Sequence, residues 1–216
     1  GVQTCALPIF IDHAWGIEPC RMEDIKSYRP ADKSICEGQV LSCPYPYEKA
    51  RLIIQEMTES LAFRLSDLKM ITDSLTLTVG YDRTNCTTGS YQGEIHIDHY
   101  GRSVPKAAHG TIHLDPPTNL GSRLIDAAVR LYAQITSPQL LVRRISIAAN
   151  RVIEDHGIYQ LNLFTDMKKL EREKKLQETM LDIKKRFGKN SVLKGTSFLD
   201  GATMRERNGQ IGGHKA

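Results

Sequence analysis

Hydrophobic positions along the chain follow two periods, and the switching between them lays out the elements. From Tyr47 to Leu68 the apolar residues Ala50, Ile53, Ile54, Met57, Leu61, Phe63 and Leu65 recur mostly at three and four, the spacing of one helical face. Leu124, Ala127, Ala128, Leu131 and Ile135 mark a second helix over Leu120–Ile135, with Thr118 or Asn119 placed to cap it. Ser74 to Tyr81 alternates Leu75, Leu77 and Val79 against threonines, the signature of a half-buried strand. Ser34–Leu41 and Leu141–Ile153 read as further strands. Thr111–Leu114 reads as a short one, stopped by Pro116 and Pro117, and Pro44 and Pro46 break the chain after the first. The order strand, helix, strand, strand, helix, strand predicts an α+β fold of the split βαβ kind. Its antiparallel sheet has four strands, with two helices on one face and the other face open. An open face that is not greasy meets something polar.

The flanks behave differently. Phe10–Gly16 reads as the end of a helix stopped by Gly16 and Pro19, and Arg21–Lys33, with Pro30, as a linker. Asp82–Gly110 is an insertion, with turn residues and a hairpin around Gly93–His99. His156–Phe164 reads as extended. Asp166–Phe187 reads as a solvated amphipathic helix with Leu176, Met180, Ile183 and Phe187 on its stripe and Glu171 four residues before Lys175. Gly188–Ala216 is polar and glycine-rich and is expected to be mobile, with a small strand at Ser191–Leu193. Residues 1–9 (GVQTCALPI) carry no charge and look like one reading frame of a sequencing adapter, so they are set aside as non-native. The expected organisation is thus 10–33 helix end and linker, 34–155 domain with insertion 82–110, 156–164 linear segment, and 165–216 charged helix and tail.

Composition narrows the class. The 216 residues are 40% hydrophobic, enough for a packed core, and no run approaches the roughly 18 apolar residues of a membrane span. The net charge of +4 permits a polyanionic partner without demanding one. Five cysteines without a CxxC pair point to reduced thiols in a cytoplasmic protein. His96, His99 and His109, with nearby His113, lack convincing ligand spacing and read as exposed loop histidines.

Three groups of residues carry candidate chemistry. Gln160, Leu161, Asn162, Leu163 and Phe164 (QLNLF) place two large apolar residues in a polar stretch. An extended segment of this kind offers Leu163 and Phe164 to an apolar pocket while Gln160 hydrogen-bonds at its rim; packing of the same residues on the domain edge is the alternative. In LLVRRISIAANRV, Val142 and Ile145 cannot both face a core with Arg143 and Arg144 both outward unless a bulge intervenes. At least one arginine therefore sits on the open face, in step with Ser146, where both suit phosphate oxygens. In KSICEGQVL, Ser34, Gly38 and Gln39 leave backbone N–H groups accessible, although a glycine-bulged edge strand explains them as well.

KSICEGQVL after a short linker, SLTLTVGY, and LLVRRISIAANRV together resemble the little-finger domain of Y-family DNA polymerases, the translesion enzymes of the UmuC and DinB type. IDHAWGIEPC resembles the last helix of their thumb. QLNLF resembles the bacterial clamp-binding pentapeptide, and the tail ending in GATMRERNGQIGGHKA is most similar to the UmuC-type branch of Gram-positive bacteria. The resemblance implies a DNA-binding domain that grips duplex backbone without reading sequence, through Ser34, Gln39, Arg143, Arg144 and Ser146. It also implies docking on the sliding clamp through Gln160, Leu161, Leu163 and Phe164, in DNA repair and the SOS response. The family's catalytic palm, which uses Mg2+, lies N-terminal to all of these motifs. Asp12, Asp73, Asp82, Asp98 and Asp115 are scattered and match no palm motif, so this stretch is expected to hold no cofactor and not to polymerise. Two alternatives stay open: a protein–protein adaptor, and a small enzyme built on the histidine-bearing insertion.

Overall fold

The computed structural model describes residues 11–18, 20–28, 33–87, 91–98, 101–157, 166–211 and 214–215. The chain divides into two compact units, Gly1–Ala31 and Asp32–Ala216. In the first, residues 11–14 are helical (α1), and Gly16 follows at φ 75° in the left-handed region that ends helices. The expected linker contains a second helix, α2 (Met22–Ser27). Asp24 accounts for it: its carboxylate accepts the N–H of Arg21 at 2.9 Å, and acid in a first turn complements the helix dipole.

The second unit runs β1 (Ile35–Tyr45), α3 (Tyr47–Asp67), β2 (Met70–Tyr81), α4 (Thr84–Thr87), β3 (Ile95–Ile97), β4 (Ser103–Pro105), β5 (Ala108–Thr118), α5 (Gly121–Ile135) and β6 (Val142–Asn150). It continues through β7 (Ile153–Glu154), α6 (Met167–Phe187), a 3-10 turn (Gly195–Phe198), α7 (Met204–Arg207), β8 (Gln210–Ile211) and β9 (His214–Lys215). The main sheet has the order β1-β6-β2-β5 with every neighbour antiparallel, and β7 pairs with the start of β2. Each βαβ unit is split: β6 lies between β1 and β2, and β2 lies between β6 and β5. This is the arrangement expected from the hydrophobic pattern.

One face of the sheet is apolar because the strands alternate. Leu75, Leu77 and Val79 from β2 meet Ile145, Ile147 and Ala149 from β6. Over them lie Ile53, Ile54, Met57, Leu61 and Leu65 of α3 and Leu124, Ala128 and Leu131 of α5, all at most 3% exposed. Gly110 lets α5 close on the edge strand: a Cβ there would stand 2.8 Å from Ile135 Cγ2.

Both outer strands run longer than the prolines suggested. β1 continues through Pro44 and β5 through Pro116 and Pro117, with Asp115–Pro116 cis. Each is an edge strand, where proline's missing N–H removes no ladder hydrogen bond. β5 also begins at Ala108, so the end of the expected insertion belongs to the sheet. The rest of the insertion holds α4 and the β3–β4 hairpin. It is pinned at its base: Asp82 Oδ1 accepts from Thr84 N and Oγ1 at 2.9 and 2.8 Å. The Asn85 carboxamide donates to the Leu141 carbonyl and accepts the Leu141 N–H, both at 2.9 Å.

α6 packs on α3 rather than standing free. Its half-buried positions include Leu170, Gln177, Met180, Leu181, Ile183 and Lys184, so Met180 and Ile183 of the expected stripe lie on the packed side, whereas Leu176 and Phe187 are exposed. The expected strand at Ser191–Leu193 is not formed, and the segment beyond it, expected to be mobile, is built into the domain. Glu56 of α3, 2% exposed, accepts the backbone N–H groups of Thr203 and Met204 at 2.8 and 3.0 Å. Arg207 pairs with Glu37 at 3.0 Å, and Lys49 with Asp200 at 2.7 Å.

Candidate nucleic-acid interface

The strand alternation that buries one face of the sheet sets polar side chains in rows on the other. Reading across the register, Val40 opposes Arg144 and Arg144 opposes Gly80. The next row is Gly38, Ser146, Thr78 and His109, and the next is Cys36, Ala148, Thr76 and Thr111. These residues are half-buried or exposed. Hydroxyls, imidazoles and small side chains leave the surface flat and rich in donors, which suits sugar–phosphate oxygens.

The arginine pair resolves through a bulge. Gly80 pairs with Arg144 while Tyr81 pairs with Val142, so Arg143 is the extra residue of β6. The bulge lets Val142 and Ile145 both reach the core while neither arginine does. Arg144 points onto the open face and is exposed. Gly80 makes room for it, since a Cβ at that position would come within 3.2 Å of Arg144 Cβ. Arg144 has no ion-pair partner among the described residues. Arg143 instead turns toward the base of the insertion, 3.9 Å from the Asp82 carboxylate.

Ser34, Arg144 and Ser146 therefore fall together, Ser34 preceding β1 in phase with Cys36 and Gly38. Gln39 does not join them. It lies on the helix-bearing side, where its carboxamide donates to Thr203 Oγ1 at 3.0 Å. The reason is parity: Gln39 is one residue from Gly38 and Val40, and neighbours in a strand face opposite ways. Gln160, Leu161, Leu163 and Phe164 lie outside the described residues, as do His99 and residues 1–9.

The open face also carries residues that the loop reading of the histidines misplaced. His109 and His113 belong to β5 and share its outward side. His109 Nδ1 is 2.9 Å from Thr78 Oγ1, Thr76 and Thr111 hydroxyls are 2.8 Å apart, and Asn150 donates to Thr76 at 2.8 Å. Arg151, held at φ 47° just past β6, spans from Asp73 at 2.9 Å to His113 at 3.1 Å. The signal for β5 was present in the alternation of Ala108, Gly110, Ile112 and Leu114, and was hidden by the low hydrophobicity of alanine and glycine.

No three His, Cys, Asp or Glu side chains converge as metal ligands among the described residues. Asp73, Asp82 and Asp98 each stand within ion-pair range of an arginine. Among the described residues no helix is long and apolar enough to cross a membrane.

Residues 32–163 match the impB/mucB/samB family C-terminal domain. Over 184 residues the chain is 23% identical to UvrX of Bacillus subtilis (strain 168), a protein named for UV-damage repair. The alignment covers 85% of this chain and 39% of the relative, so the chain spans well under half the length of that protein.

Proposed function

The chain belongs to the impB/mucB/samB family of UmuC/DinB-type Y-family polymerases, through their C-terminal domain, and from that premise we propose that it grips duplex DNA for lesion bypass and docks on the sliding clamp. The observation that carries the DNA reading is the exposed Arg144 on a flat polar sheet face, in step with Ser146 and flanked by Thr76, Thr78, Thr111 and His109. Arg144 supplies a fork for phosphate oxygens, and Ser34 and Ser146 supply hydroxyls. Short side chains on this face reach backbone rather than base edges, so the grip is independent of sequence. That tolerance suits a damaged template, whose base edges are altered.

Clamp docking rests on the QLNLF segment, with Leu163 and Phe164 as anchors in an apolar pocket and Gln160 and Leu161 beside them. The setting is repair DNA synthesis in the cytoplasm during the SOS response. Polymerisation, with its Mg2+, falls to parts of the parent enzyme beyond the residues described here.

Titration of a labelled primer–template duplex with the chain tests the grip. Arg144→Glu is expected to weaken binding about tenfold or more, equally on every sequence, and to lower the slope of log affinity against log salt by about one. Unchanged DNA affinity would turn the reading toward a protein-binding sheet. In a parallel calorimetric titration into bacterial sliding clamp, the Leu163→Ala/Phe164→Ala chain is expected to lose saturable binding shown by the unaltered chain. No binding by the unaltered chain would reduce QLNLF to a packing segment.

A further inference from the structure

The helix-bearing side of the second unit carries a cleft that the DNA grip does not use. Two adjoining hollows, of about 520 and about 310 Å³, share Glu37, Ser60, Arg64, Lys189, Met204 and Asn208. Phe63, Leu181 and the buried Met204 give the larger one an apolar floor. Its rim is cationic, and the carboxylates in its wall are already engaged: Glu37 by Arg207 at 3.0 Å and by Ser60 at 2.9 Å, and Asp67 by Lys185. Nearby Glu59 pairs with Lys194 at 2.9 Å.

Arg64, Lys184 and Lys189 are left with no carboxylate in ion-pair range among the described residues. Lys184 Nζ donates to the Lys189 carbonyl at 3.0 Å and lies 5.4 Å from the Phe63 ring centroid. Arg207, at the back of the smaller hollow, keeps its Nη1 buried with no hydrogen-bond partner among the described residues. Converging cations of one sign in a concave, partly apolar site concentrate the field, and a buried unpartnered N–H donor is costly until an acceptor arrives.

We propose that this cleft binds a phosphate group, held by Arg64, Lys184 and Lys189 with Arg207 behind them. A carboxylate is satisfied by one arginine, whereas this many donors match the oxygens and the charge of a phosphate ester or anhydride. Burial holds the Lys184 ammonium below its ordinary pKa, and an arriving anion offsets that penalty. Backbone phosphate of a nucleic acid and a free polyphosphate share this chemistry. α3, α6 and α7 line the larger hollow on the helix-bearing side, and the smaller one reaches Gly38 of edge strand β1.

Calorimetric titration of the full chain with sodium pyrophosphate tests the site. Saturable binding is expected, with Arg64→Glu and Lys189→Glu each weakening it about tenfold or more. Arg64 and Lys189 are exposed, so both variants are expected to keep the parent's thermal midpoint; the milder Arg64→Gln should move affinity in the same direction. Absence of saturable binding, or equal binding by all variants, would overturn the site. The source is then read in the Arg144→Glu chain, whose sheet grip is removed. Displacement of pyrophosphate by a thymidine oligonucleotide about twelve nucleotides long identifies backbone phosphate, and failure to displace it identifies a free polyphosphate. Both results support the site.

Discussion

Tyr132 is fully buried in α5, with its ring stacked on Tyr47 at 4.5 Å between centroids and its hydroxyl donating to the Tyr47 carbonyl at 3.1 Å. Burial, reinforced by the neighbouring Tyr47, pushes its phenol well above the ordinary tyrosine value. Tyr81 and Tyr45 are raised as well, in each case chiefly by burial. A pKa raised in the folded state means that the native protein holds the proton more tightly than the unfolded chain. The stability so contributed is complete below the unfolded value of about 10 and is lost as pH climbs toward the folded one. Denaturant melts from pH 8 to pH 12 should therefore show a steep alkaline loss of stability. Tyr132→Phe should flatten that loss while costing about 1 kcal/mol at neutral pH for the missing hydrogen bond. At the same scale, the open-face role assigned to Arg144 rests on a single extra residue, Arg143, in β6. Without that bulge one arginine of the pair would point into the core.

Among the elements, α6 owes its position to a polar residue. Gln177 accepts the N–H of Gly121 at 2.8 Å and donates to the Asn119 carbonyl at 2.8 Å and to Ser66 Oγ at 2.6 Å. It thus caps α5 from another helix, a task that the sequence pattern gave to Thr118 or Asn119. Those two are occupied elsewhere: Thr118 Oγ1 accepts from Leu120 N at 3.1 Å, and the Asn119 side chain donates to the Met70 carbonyl at 3.0 Å. The Lys174–Asp155 pair at 3.1 Å supports the same docking. Gln177→Ala leaves the Gly121 N–H without its acceptor and should destabilise the unit by about 1–3 kcal/mol. Amide exchange should report the loss first at the start of α5 and along α6. Leu176→Ala on the exposed side of α6 should move stability by less than about 0.5 kcal/mol.

Across the whole second unit, the C-terminal segment is held mainly by polar contacts to residues far back in the chain. Glu56 is central to this: one buried carboxylate oxygen receives two backbone N–H groups of the tail, while Gln39 and Glu37 hold Thr203 and Arg207. Glu56→Ala strands both donors and should cost about 1–3 kcal/mol, with cleavage near residues 195–207 appearing under limited proteolysis before the sheet is touched. Glu56→Gln keeps an acceptor oxygen and should show a smaller effect. If the Glu56→Ala chain resists protease as well as the parent, the tail is held by other contacts.

The sequence by itself determined the βαββαβ order, the two packed helices and the core residues of β2 and β6. These depend on periods of two and about 3.6, which any chain segment expresses without knowing its neighbours. It also narrowed the arginine question to one outward residue or a bulge. What only the tertiary structure decided were features set by partners distant in sequence. Proline tolerance in β1 and β5 follows from their place at the sheet edges. The removal of Gln39 from the open face follows from strand parity together with Thr203 lying beside it. The gathering of His109 and His113 onto that face follows from pairing of β5 with β2. The packed tail and the docking of α6 arise because buried Glu56 and half-buried Gln177 bond to backbone brought near by folding. A hydrophobic pattern does not encode polar contacts of that kind.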